Sequence, residues 1–146
     1  DMVWVEDKCY VNDQATIWRW REAYQNDLAG RMDWCVMDYE EANHPPVAAL
    51  SHENIINVKP GGSVSLDGSP STDPDGDELS FSWFHYREPG SFVGDIELQN
   101  SNSARPSFTA PEVDKARDFH IIMQVKDEGE PALTRYQRVI VNVIPE

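Results

Sequence analysis

Ser71-Thr72-Asp73-Pro74-Asp75-Gly76-Asp77-Glu78-Leu79-Ser80-Phe81-Ser82-Trp83-Phe84-His85-Tyr86 is a turn running into a strand, and its reading decides the fold. Proline presets φ, glycine accepts positive φ, and aspartate side chains cap nearby amides, so residues 73–77 carry turn chemistry. From Leu79 onward Phe81, Trp83 and His85 alternate with Ser82, Phe84 and Tyr86, the two-residue period of an extended chain. Trp83 is the predicted core tryptophan of a central strand.

The same pattern extends in both directions. Residues 47–50, 55–58, 63–66, 79–86, 96–98, 107–109, 119–125 and 135–144 are candidate strands. Turn signals separate them, among them Pro60-Gly61-Gly62, Pro89-Gly90 and residues 127–131. Val139, Val141 and Val143 share a parity, as do Ile121, Met123 and Val125, and both sets are predicted to face the core. Short strands without a helical pattern across residues 44–146 predict a mainly β domain, an immunoglobulin-like antiparallel sandwich.

Upstream the composition changes. All ten prolines lie at or beyond Pro45, and seven of the eight glycines at or beyond Gly61, whereas four of the five tryptophans precede that break. Residues 16–34 predict one Trp-rich helix, with Ile17, Trp20 or Arg21, Tyr24, Leu28 and Met32 recurring at three- and four-residue spacing. Trp18 and Ala23 widen the stripe, and Asn12, Asp13 or Thr16 can cap its start. A covered tryptophan buries on the order of 200 Å², so several wet ones would cost several kcal/mol at roughly 25 cal/mol per Å². The helix therefore needs a partner, either the sandwich or a body outside this chain. The division is a helical segment over 1–43 and a sandwich over 44–146.

Among 146 residues, 26 acidic against 12 basic side chains give a net charge of -14. That balance opposes nucleic acid and anionic lipid as partners, because both need clustered Lys and Arg. No apolar run approaches the ~20 residues of a membrane-spanning helix. The chain starts Asp1-Met2-Val3-Trp4, without an initiator methionine or a signal peptide, which reads as a piece of something longer. Cys9 and Cys35 fit one disulfide or two thiols.

The stretch from Trp18 to Trp34, Trp-Arg-Trp-Arg-Glu-Ala-Tyr-Gln-Asn-Asp-Leu-Ala-Gly-Arg-Met-Asp-Trp, resembles the end of the nucleoside-hydrolase-like domain in bacterial cellulose-binding proteins of the Sde182 type. Ala42-Asn43-His44-Pro45-Pro46-Val47 and the strands to Val143 look like the C-terminal domain of that family, so the resemblance spans nearly the whole chain. Residues 71–77 with Leu79-Ser80-Phe81-Ser82-Trp83 are also similar to the PKD-type immunoglobulin-like repeat, a widespread signal that speaks to fold. The resemblance implies a secreted or periplasmic parent, associated with polysaccharide and carrying a hydrolase-like domain. The aspartate-rich motif by which nucleoside hydrolases hold calcium and ribose has no counterpart in this sequence, so no catalytic residue is carried over.

Two candidate sites follow. Asp73, Asp75 and Asp77 crowd one loop, and clustered carboxylates suit a hard cation. An EF-hand is excluded, because its sixth position would be Glu78 instead of glycine and its twelfth Phe84 instead of glutamate. The PKD-like arrangement would gather Asn43, Asp73, Asp75 and Asp127 around one Ca²⁺, with a backbone carbonyl of His44; the alternative is a solvated turn capped by its own aspartates. The second candidate is a sugar platform of Phe84, Tyr86 and Phe92, with Arg87, Glu88 and Gln99 as polar neighbours, since a pyranose stacks its C–H face on aromatic rings. The competing reading packs those rings under the Trp-rich helix, and the helix's need for cover favours it.

His44, His52, His85 and His120 are scattered, with no G-x-S-x-G elbow. Glu40-Glu41, Asp77-Glu78 and Glu128 with Glu130 show no sign of the opposed placement, ~5–9 Å apart across a cleft, that glycosidases use. Together with these residues, the resemblance implies a non-catalytic module that binds cellulose-like polysaccharide or serves as accessory to a missing N-terminal hydrolase-like domain. The rival readings are a part that completes a glycosidic-bond hydrolase, and a spacer without a sugar site.

Overall fold

The structure is a computed structural model that describes residues 2–5 and 8–145. Its elements in order are β1 (Met2–Val5), β2 (Lys8–Val11), α1 (Ala15–Trp18), α2 (Arg21–Asp33), β3 (Ile55–Val58), β4 (Ser63–Ser65), β5 (Ser80–Tyr86), β6 (Ser107–Thr109), β7 (Arg117–Lys126) and β8 (Thr134–Val143). The main sheet runs β3-β8-β7-β5, and β4-β6 forms the facing sheet. β1 and β2 make a separate hairpin.

The alternation settles which side chains meet. Trp83 pairs with Met123 and His85 with Ile121 across β5 and β7, and Phe119 pairs with Val141 across β7 and β8. Trp83, Phe119, Ile121, Met123, Val125, Val139, Val141 and Val143 are all buried, and Val64 and Phe108 of the facing sheet, with Leu66 and Ala110 just beyond its strands, close the core. The Trp83 indole N–H donates to the Ser103 carbonyl at 3.0 Å, which removes the penalty of burying it. A Cβ at Gly68 would overlap Met123 Sδ and stand 3.1 Å from Trp83 Cζ2, so a side chain there would force Met123 to shift in the core.

Three expectations are corrected. The sandwich is mixed, since β3 pairs with β8 in parallel. Residues 47–50 form no strand: Val47 makes a lone bridge to Thr72, after which side chains take over the ladder. Ala49 N–H donates to Ser71 Oγ, Ser71 Oγ donates to the Ala49 carbonyl, and Gln137 Nε2 donates to the Ala48 carbonyl. Residues 96–98 are likewise irregular; Ile96 and Leu98 pack on the core, but only Gln99 bridges, to Ser107.

The helical segment is broken. α1 and α2 replace the single predicted helix, with Trp20 at the junction in a non-helical conformation, φ -96° and ψ 1°. Asn12 Oδ1 accepts the Gln14 N–H at 2.8 Å ahead of α1, while the Thr16 side chain lies outside the described residues. α2 rests on the sandwich through a small and polar face. Asn26 Nδ2 donates to the Ala132 carbonyl at 2.9 Å, Asp27 pairs with Arg135 at 3.0 Å, and Glu22 pairs with Lys126 at 2.9 Å. Buried Gly30 sits so near Leu133 that a Cβ would lie 3.2 Å from its Cδ2. Tyr24, Leu28 and Met32 point outward, 48%, 62% and 63% exposed. Among the described residues no helix is long and apolar enough to cross a membrane.

Candidate functional site

The outer face of β5, β7 and β8 bears Phe84, Tyr86 and Tyr136, and Trp20 sits over them. Its ring centroid lies 5.9 Å from Phe84, 5.9 Å from Tyr86 and 4.9 Å from Tyr136. The Arg19 guanidinium adds to the cover, 5.2 Å from the Tyr86 ring centre and 5.8 Å from that of Phe84. Arg19 in turn approaches Glu88 at 2.9 Å. Phe84 and Tyr86 are therefore half-buried beneath the helical segment and form no open platform. Phe92 does not join them: it lies on the core side, 6.1 Å from Phe119. The predicted trio is split between two faces of one sheet.

Beside Trp20 the contact with the sandwich is incomplete. A cleft of about 400 Å³ opens there, lined by Trp20, Ala23, Tyr24, Asp27, Ile122, Thr134, Arg135 and Tyr136. Its walls are largely aromatic and aliphatic, and the Asp27–Arg135 ion pair supplies charge at one side. Hydrogen bonds from Arg31 and Arg135 hold the Asp27 carboxyl below the ordinary range against the opposing effect of burial. None of Tyr24, Asp27, Arg135 or Tyr136 stood out in the sequence as a site. The one usable signal was parity: Tyr136 is out of phase with Val139, Val141 and Val143, so it shares the outer face with Phe84.

At one corner of the sandwich the predicted calcium ligands do converge. Asn43 Nδ2 donates to Asp127 Oδ2 at 3.3 Å and to the Pro131 carbonyl at 2.9 Å. His44 N–H donates to Asp75 Oδ2 at 2.5 Å, and its Nδ1 lies 3.0 Å from Asp75 Oδ1. Stacking of the Trp34 ring on His44, 5.8 Å apart at 8°, fixes that imidazole. Asp127 Oδ1 accepts the N–H groups of Leu133 and Gly129, and Asp73 Oδ1 those of Asp75 and Asp77.

These oxygens already face protein donors. Asp73 Oδ2 alone is buried without a partner, whereas Ca²⁺ takes six to eight oxygens. Among the described residues no group of three or more His, Cys, Asp or Glu is placed to hold a metal ion. As placed, these residues form a hydrogen-bonded clasp between residues 43–44 and the loops at 73–77 and 127–133. Burial, reinforced by the charge of Asp73, pushes the Asp127 carboxyl up against the hydrogen bonds that pull it down. Its ionisation at neutral pH thus works against folding. Asp73→Asn removes the like charge that raises the Asp127 carboxyl while its side-chain oxygen can still accept the Asp75 and Asp77 N–H groups. The expected result is a gain of about 0.5–1 kcal/mol in urea denaturation, with no change in melting temperature on adding millimolar Ca²⁺. A calcium-dependent rise that disappears in Asp73→Asn would restore the ion.

Among the described residues the histidines make no nucleophile relay. Ser91 Oγ donates to Asp118 Oδ1 at 2.5 Å, and His120 Nε2 lies 3.3 Å from Asp118 Oδ2. The carboxylate stands between serine and imidazole, so the base that would activate the hydroxyl is out of place. His85 lies on the core side and buried His120 on the outer side of adjacent strands. Cys9 and Cys35 are free and exposed.

Residues 63–143 match the family described as cellulose-binding protein Sde0182, C-terminal domain. The chain belongs to this family. Beyond the matched segment, a solved nucleoside hydrolase-related protein of Saccharophagus degradans, described as associated with carbohydrate metabolism, is similar over 92% of this chain, with 39% identity and a TM-score of 0.85. The chain spans 34% of that protein's length. The PKD domain of the KIAA 1837 protein aligns over 68% of this chain and 86% of its own, with 26% identity and a TM-score of 0.50. That agrees with the PKD-like sandwich. No curated protein matches the chain.

Proposed function

We propose that this Sde0182 C-terminal-type chain is a non-catalytic module that binds neutral, cellulose-like polysaccharide, as the accessory part of a larger extracytoplasmic hydrolase-like protein. The family description and the carbohydrate-associated neighbour support the ligand class. The net charge of -14 disfavours anionic polymers by simple repulsion. The observation that carries the accessory role is the helical segment. Its small, polar face meets the sandwich, while its apolar stripe of Tyr24, Leu28 and Met32 stays in water.

Such a stripe suits burial against a further apolar body. This supports the second reading, in which α1 and α2 also complete the hydrolase-like part of the parent. Both readings leave the chemistry to residues outside this chain.

Depletion of the full chain from solution by microcrystalline cellulose tests the proposal. Retention is expected to change little between 50 mM and 500 mM NaCl, because contacts made by rings and hydroxyls are not screened as charge pairs are. A chain left wholly in the supernatant with cellulose, xylan and mannan would overturn the binding reading.

A further inference from the structure

We propose that the cleft between α2 and the outer face of β7 and β8, walled by Trp20, Tyr24 and Tyr136 with the Asp27–Arg135 pair at its side, is the seat of one or two pyranose units of a neutral β-linked glucan. This deepens the polysaccharide reading above and rests on it. At about 400 Å³ the cleft lies within the roughly 300–1,000 Å³ that small-ligand sites occupy. Its composition also matches a pyranose. A sugar ring with equatorial hydroxyls has an apolar C–H face, which needs aromatic walls, and a polar rim, which needs fixed donors and acceptors.

Trp20 and Tyr136 supply rigid walls, because their rings brace each other edge to face at 4.9 Å and 82°. Tyr24, nearly half exposed, forms the solvent lip across which a polymer can continue. Asp27 is already oriented by Arg31 at 2.7 Å and Arg135 at 3.0 Å. Its carboxylate therefore presents acceptors, and Arg135 presents donors, without a rotamer search on binding. Thr134, also on the wall, offers a hydroxyl. Phe84 and Tyr86 act from behind, as the layer that fixes Trp20.

The alternative occupant is an apolar side chain of the hydrolase-like body, since the outward stripe begins at Tyr24. Chemistry at the cleft separates the two: an Asp–Arg pair beside the aromatics would be left partly desolvated by an apolar plug, whereas hydroxyls satisfy it.

Calorimetry of the full chain with cellohexaose tests the site. Tyr24→Ala removes an exposed lip, so the fold is retained, and affinity is expected to fall at least tenfold. Ala23→Trp fills the cleft from the helix side and is expected to abolish binding while the amides of β7 and β8 keep their protection in hydrogen exchange. Wild-type binding that both variants preserve would overturn the cleft and leave the polysaccharide reading standing. A wild-type chain that binds neither cellohexaose nor cellulose would remove both.

Discussion

Trp20→Ala is expected to free the helical segment from a sandwich that remains folded, at a cost of about 2–4 kcal/mol to their association. The indole touches Phe84, Tyr86 and Tyr136 at 5.9, 5.9 and 4.9 Å, so its loss leaves a hole on the outer face. Apart from Arg19, which keeps its pair with Glu88 and its place over Tyr86, what remains at that junction is weak. The Asp27–Arg135 and Glu22–Lys126 pairs are solvent-accessible and contribute about 0–1 kcal/mol each. The Asn26 bond to Ala132 adds about 1 kcal/mol. Thirteen residues of α2 make a helix too short to persist alone in water. Hydrogen exchange is the measurement: amides of α2 should lose protection while those of β7 and β8 keep it. Equal protection of α2 in the variant and the wild type would show that Trp20 does not anchor the segment. Trp20→Phe should recover much of the loss, since a ring still reaches Tyr136.

Two further results are expected of this variant, and the second separates it from one that merely unfolds. Cellohexaose affinity should vanish, because a wall of the cleft is gone. The clasp at residues 43–44 should persist, held by Asn43 on Asp127 and His44 on Asp75.

The strands were readable wherever parity and a buried face coincide. Residues 55–58 and 107–109 came out as β3 and β6 without adjustment, and the alternation around Trp83 fixed which side of β5 is core. Pairing direction was not readable, because alternation is the same in parallel and antiparallel strands; hence β3 beside β8. Residues 47–50 look extended, yet Ser71 and Gln137 satisfy their backbone by side-chain hydrogen bonds that no local pattern encodes. Phe92 follows Pro89-Gly90-Ser91, where the alternation has stopped, so its face could not be counted forward from Tyr86.

The helical segment shows a different limit. Its three- and four-residue spacing predicts one stripe, but the break at Trp20 resets the phase, so Trp20 turns inward while Tyr24, Leu28 and Met32 turn outward. The face that meets the sandwich is Ala23, Asn26, Asp27 and Gly30, small and polar, which hydropathy does not mark. For the same reason the cleft was invisible: it needs Tyr136 from β8 beside Tyr24 from α2, residues brought together only by docking.

Phe119→Ala should produce the largest loss of all, about 3–5 kcal/mol, and it should also blunt the acid sensitivity of the protein. Phe119 is fully buried, with ring centroids of Phe108 at 5.6 Å, His85 at 5.8 Å and Phe92 at 6.1 Å. Removing it opens a void shared by both sheets, so the urea midpoint should fall for the whole sandwich. His85 lines that void, and both of its ring nitrogens are buried without partners. Burial first, and the Arg87 charge second, depress its pKa from 6.5 to about 4. A depressed folded-state value means the neutral ring favours folding above pH 6.5, and that contribution is lost as pH falls towards 4. The drop sets a ceiling of about 3 kcal/mol, and partial exposure of the residue reduces the expectation to on the order of 1–2 kcal/mol. With Phe119 gone, water reaches the imidazole, the protonated form becomes tolerable, and the loss between pH 6.5 and 4.5 should shrink by at least half. The opposing contribution of Asp127, whose carboxyl is raised, is common to both proteins and cancels in the comparison. Phe119→Leu keeps most of the volume, so it should cost about 1 kcal/mol and retain the wild-type pH slope. An identical slope in Phe119→Ala would show that packing on Phe119 does not control the solvation of His85.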